Sequence, residues 1–66
     1  MRVWINDQPH ELPDTATVAD ALAALGAPPT GVAVAVDGEV VHRAGWAEHG
    51  LAPDARIEVL TAVQGG

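Results

Sequence analysis

Residues 1–6 alternate. Met1, Val3 and Ile5 fall on one side and Arg2, Trp4 and Asn6 on the other, the two-residue period of a strand with one buried face. Asn6-Asp7 reads as a tight turn, because both residue types tolerate left-handed backbone angles, and residues 10–12 return as a short second strand. Pro9 lacks an N–H, so that second strand belongs at a sheet edge. After Pro13 the period changes. Thr17 is placed as a helix N-cap with Asp20 three residues on, a capping box with Asp in the Glu position. Val18, Ala21, Leu22 and Leu25 then recur at i, i+3, i+4 and i+7, one apolar stripe. Gly26 can close the helix in the left-handed conformation, and Pro28-Pro29 prevents its resumption. Two turns are well short of the roughly 12–15 residues an isolated helix needs, so this stripe must pack on a sheet.

Residues 32–36, Val-Ala-Val-Ala-Val, form the most β-prone run, and Asp37-Gly38 turns it into Glu39, Val40 and Val41. Residues 42–52 carry no clear period and read as a connecting loop with a short helical turn, anchored by Trp46 and Leu51. Pro53-Asp54-Ala55 is a turn into the last strand, residues 56–62. There Ile57 and Val59 face inward, and Glu58, Leu60 and Ala62 face outward. The order ββαββ plus a final strand predicts an α+β layer, one helix on a mixed sheet of four to five strands, with the first and last strands side by side in the middle. Residues 1–66 are expected to be a single domain, with 63–66 leaving it as an exposed tail.

Composition narrows the chemistry. A 66-residue chain buries only about 60% of its unfolded surface, which leaves no room for a second domain. With no cysteine there is no disulfide, thiolate nucleophile or zinc-finger pattern, and His10, His42 and His49 match no compact ligand spacing. The formal charge of −6 argues against nucleic acid and for a partner with a basic surface. Two tryptophans are the only aromatic residues, too few for base-stacking platforms. No basic head precedes a long apolar run, so neither a signal peptide nor a membrane span is expected and the cytoplasm is the expected compartment.

The chain ends Thr61-Ala62-Val63-Gln64-Gly65-Gly66. At this chain's glycine content, two terminal glycines arise by accident about 1% of the time. A Gly-Gly end can thread a channel too narrow for any side chain, and its carboxylate, once activated as an acyl-adenylate, can accept an amine, a thiol or a sulfide. Gly66 is therefore the candidate for covalent modification, and Gly65, Gln64 and Val63 the segment that enters a partner's channel. On the outward face of the sheet, Trp4, Leu60 and Ala62 are candidates for partner docking, as an apolar patch beside the tail.

Taken together, Asn6-Asp7 after the first strand, Thr17-Val18-Ala19-Asp20-Ala21-Leu22 opening the helix, the run from Ala33 through Asp37-Gly38 to Val41, then His42-Arg43-Ala44-Gly45-Trp46-Ala47 and the Ala62-Val63-Gln64-Gly65-Gly66 end resemble the ThiS family. These are the small ubiquitin-like β-grasp sulfur carriers of thiamine biosynthesis. One departure is Pro53-Asp54-Ala55, where the family typically has a Gly-Asp turn. The resemblance implies a β-grasp fold and a cycle. A ThiF-type, ubiquitin-activating-like adenylyltransferase uses ATP to adenylate the Gly66 carboxylate, and sulfur originating from cysteine, through a donor system such as a cysteine desulfurase, displaces AMP. The Gly66 thiocarboxylate then donates sulfur to a ThiG-type thiazole synthase. The chain would be a protein co-substrate with no catalytic residue and no bound cofactor. Carriers of the same fold in molybdopterin or thio-amino-acid synthesis, a ubiquitin-like modifier, and a plain interaction domain are the alternatives. The absence of lysine weakens only a chain-forming modifier.

Overall fold

The computed structural model describes residues 1–27 and 30–61, and in it five strands form one mixed sheet in the order β2-β1-β5-β3-β4. β1 (Arg2–Ile5) and β2 (Gln8–Glu11) pair antiparallel, with Ile5 opposite Gln8. Asn6 and Asp7 join them with φ of 50° and 66°, the type I′ arrangement whose twist matches that of the flanking strands. The return strand therefore begins at Gln8, two residues before the expected start at His10. Pro9 lies inside the ladder, opposite Trp4. The pair that closes a two-residue hairpin exchanges hydrogen bonds and the next pair does not. Pro9 thus turns its nitrogen outward along the sheet's edge, where no donor is needed.

The helix α1 (Val18–Leu25) is closed at both ends by its own sequence. Thr17 Oγ1 accepts a hydrogen bond from the Asp20 N–H, and the Asp20 carboxylate accepts one from the Thr17 N–H at 2.9 Å, which completes the capping box. Gly26, at φ 76°, donates to Ala23 O, and Ala27 donates to Leu22 O, the paired bonds of a Schellman stop. Val18, Ala21 and Leu22 are buried as the stripe requires, but Leu25 is exposed. The reversal at Gly26 brings Ala27, not Leu25, against the core, so the stripe ends one turn early.

Loop 42–52 holds the start of the helix. His49 O accepts from the Val18 N–H at 3.0 Å and Trp46 O from the Ala19 N–H at 3.1 Å, which satisfies two donors that a helix N-terminus leaves free. A 3₁₀ turn, Arg43–Gly45, precedes Trp46. The buried Trp46 ring donates its Nε1–H to Val41 O at 2.8 Å, and Leu51 is also buried. Both anchors expected in this loop are therefore in place.

β3 (Val32–Val36) and β4 (Glu39–Val41) form the second hairpin, and β5 (Arg56–Thr61) runs parallel to β1 and antiparallel to β3. The turn before β5 is made by Ala52, Pro53, Asp54 and Ala55. Asp54 takes φ 64° and the Ala55 N–H donates to Ala52 O at 3.1 Å, as in a type II turn with Pro53 in its preferred place. Val3, Ile5, Val34, Val36, Ile57 and Val59 point under the helix and form the core with Val18, Ala21, Leu22, Trp46 and Leu51.

Candidate functional site

β5 is the strand that leads to the carboxyl terminus. Ala62, Val63, Gln64, Gly65 and Gly66 lie outside the described residues. The site is therefore built from what holds β5 and from the surface around its last residues. β5 occupies the middle of the sheet, between β1 and β3. A side chain from a hairpin turn fixes it at each end. At its start, Asp37 donates its N–H to Arg56 O at 2.8 Å, and the Asp37 carboxylate accepts from the Arg56 N–H at 3.0 Å. Near its end, Asn6 Nδ2 donates to Val59 O at 3.1 Å, and Asn6 Oδ1 accepts from the Val59 N–H at 2.8 Å. Sequence reading assigned Asn6 and Asp37 to turns only. A polar residue of left-handed tendency at the first turn position was the available signal, but not its partner 53 positions away.

The outward face differs from expectation. Trp4 lies opposite Arg56, at the beginning of β5, whereas Leu60 lies opposite Ala33, near its end. Four residues of strand separate them by about 13 Å, and the exposed Glu58 stands on the same face between them. Trp4 and Leu60 thus do not make one patch, because β1 turns away into β2 before it reaches Leu60. Leu60 and Val40, 66% and 69% exposed, instead flank Ala33 and Ala35, where β5, β3 and β4 lie side by side. Ala33, Ala35, Val40, Leu60 and Glu58 border a shallow apolar depression of about 110 Å³. The two alanines make it shallow. Trp4 is half-buried and carries the Arg2 guanidinium 5.9 Å from its ring centroid, a cation–π contact. Arg56 reaches the Asp7 carboxylate at 3.8 Å, an exposed pair of little energetic consequence.

A larger depression, about 510 Å³ and bordered by Ala19, Leu22, Arg43 and Trp46 among others, lies on the helix side. It receives no residue of β5. Among the described residues no three His, Asp or Glu side chains gather as a metal site, and no helix is long and apolar enough to cross a membrane.

No curated protein matches the chain. The sequence model of the ThiS family matches residues 3–66. Among solved structures, the chain resembles the crystal structure of the thiamine biosynthesis protein (ThiS) from Geobacter metallireducens, 25% identical, covering 100% of both chains with a TM-score of 0.81. It also resembles the NMR solution structure of a thiamine biosynthesis protein from Geobacter metallireducens, 26% identical, covering 100% of this chain and 88% of that one with a TM-score of 0.78. With the five-strand, one-helix sheet in place and a match that runs from the first strand through the last glycine, the chain belongs to the ThiS family of β-grasp sulfur carriers.

Proposed function

We propose that this chain carries sulfur for the thiazole ring of thiamine as a thiocarboxylate on Gly66. The observation that carries the reading is the family match itself, which extends through Gly65 and Gly66. The chain also contains no cysteine on which sulfur could be held as a persulfide. β5 supports the reading from the other side, since the strand leading to these glycines is central and tied at both ends.

The chemistry takes two displacements. The Gly66 carboxylate oxygen attacks the α-phosphorus of ATP on a ThiF-type adenylyltransferase, and pyrophosphate leaves. A sulfur nucleophile, formed from cysteine by a desulfurase-type donor, then attacks the acyl carbon, and AMP leaves with the electron pair of the broken acyl–oxygen bond. Where the nucleophile is a donor persulfide, a second thiolate attacks the donor-side sulfur of the acyl disulfide and forms a disulfide with the donor; the leaving group is the thiocarboxylate, whose sulfur is the nucleophile a ThiG-type thiazole synthase consumes. The catalytic groups and the bound ATP belong to the partners; the chain is a co-substrate. Gly65 adds no side chain at the point where a partner's channel would be narrowest, with Gln64 and Val63 behind it. The apolar depression around Leu60 and Val40 is the docking surface on the strand that leads to the terminal residues, with Ala62, two positions after Leu60 in the sequence, a further contact and Trp4 a separate one at the far end of β5. The acidic surface favours a basic partner.

The test is intact-mass spectrometry after incubation with ATP, the activating enzyme and a sulfur source. Replacement of one oxygen by one sulfur, localised by fragmentation to Gly66, is the expected result. An unchanged mass, or sulfur elsewhere on the chain, contradicts the reading.

A further inference from the structure

We infer that Asn6 is a positioning residue for the chemistry at Gly66: its side-chain amide adds the last rung on the β1 side of β5 and so holds the end of the strand that leads to Gly66. The inference rests on the sulfur-carrier reading. The parallel ladder between β1 and β5 is built by the Trp4 N–H donating to Ala55 O at 2.8 Å and the Asn6 N–H donating to Ile57 O at 2.9 Å. The next peptide groups on β5 that face β1 are those of Val59, since alternate residues of a strand point the same way. No β1 backbone is left to meet them, because the chain has already turned at Asn6 and Asp7. β3 lies on the other side and cannot substitute.

The Asn6 amide fills the gap. Its donor and acceptor meet Val59 O and the Val59 N–H together, as a backbone peptide unit would, and so add one rung without lengthening β1. Asn6 therefore has two roles, first residue of a type I′ turn and last rung of the central ladder. Beyond Val59 the described strand, Leu60 and Thr61, is held by β3 alone. Without the amide, Val59 loses two bonds and the end of β5 is held from the β3 side only, so residues 59–61 open more readily. A partner gripping Gly65 and Gly66 must then order those residues as well, at the entropic cost of fixing each backbone unit.

Asn6→Gly isolates this role, because glycine keeps the left-handed turn and removes only the amide. Asn6→Asp keeps the acceptor and loses the donor. Val18→Ala, a buried helix residue that takes no part in the β1–β5 ladder, controls for lost stability. Each full-length variant is measured by amide hydrogen exchange and by steady-state thiocarboxylation with the activating enzyme, ATP and a sulfur source. For Asn6→Gly the expected results are exchange at the Val59 amide faster by roughly tenfold, and a KM for the carrier raised about fivefold or more with kcat unchanged. Asn6→Asp should fall between Asn6→Gly and the parent chain in exchange, and Val18→Ala should leave KM at the parent value. An unchanged Val59 exchange rate or an unchanged KM in Asn6→Gly overturns the inference, as does an equal rise of KM in Val18→Ala. If the parent chain takes no sulfur, the sulfur-carrier reading fails and this inference with it. A parent chain that is charged normally, beside an Asn6→Gly variant that matches it, overturns the inference alone.

Discussion

The two faces of the sheet come from the same strands and differ in almost every physical respect. Toward the helix, Val3, Ile5, Val34, Val36, Ile57 and Val59 are buried and interlock with α1. Away from it, Ala33, Ala35, Val40, Glu58 and Leu60 form a low surface, open except where small side chains keep it shallow. One residue of register separates the two sets, because successive side chains of a strand point to opposite faces. The inner face carries the buried core, and on the outer face Val40 and Leu60 are exposed. β5 serves both at once, with Ile57 and Val59 on one side and Glu58 and Leu60 on the other.

That division predicts unequal responses to substitution. Ile57→Ala, at a residue 1% exposed in the middle of the core, should cost about 2–5 kcal/mol of stability, measured by urea unfolding. A loss below about 1 kcal/mol would mean that the core is not organised around β5. Thr17→Ala removes the hydroxyl of the capping box and should cost about 1 kcal/mol in the same assay; no change would show that the bonds from loop 42–52 suffice to start the helix. Val40→Ser with Leu60→Ser, both on the open face, should move stability by less than about 0.5 kcal/mol yet weaken binding to the activating enzyme, read by calorimetry. Unchanged affinity would remove the depression from the docking surface.

Local chemistry was legible in the sequence where the interaction is short-range. The alternation of residues 1–6, the capping box of Thr17 and Asp20, the stop at Gly26 and the turns at Asn6-Asp7 and Asp37-Gly38 all depend on neighbours within a few positions, and each is present. The placement of β1 beside β5 was also legible, from one amphipathic helix covering one sheet. The misses depend on register between distant segments. β2 begins at Gln8 because the hairpin geometry tolerates Pro9 with its nitrogen outward, which composition alone does not show. Leu25 follows the helical period but comes after the last turn that touches the core. Trp4 and Leu60 share a face, yet the offset of two parallel strands, invisible in either strand alone, puts them at opposite ends of β5. The same offset leaves Val59 for the Asn6 amide. The terminal glycines, read as chemistry from the absence of side chains and of any cysteine, lie outside the described residues.

A body that presents and a tail that reacts should be separable. The most direct measurement compares the full chain with one lacking Gly66, following thermal unfolding and the mass of each protein after reaction with ATP, the activating enzyme and a sulfur source. The melting temperatures should coincide, and only the full chain should exchange one oxygen for sulfur; sulfur gained by the shortened chain would place the chemistry elsewhere and contradict the account.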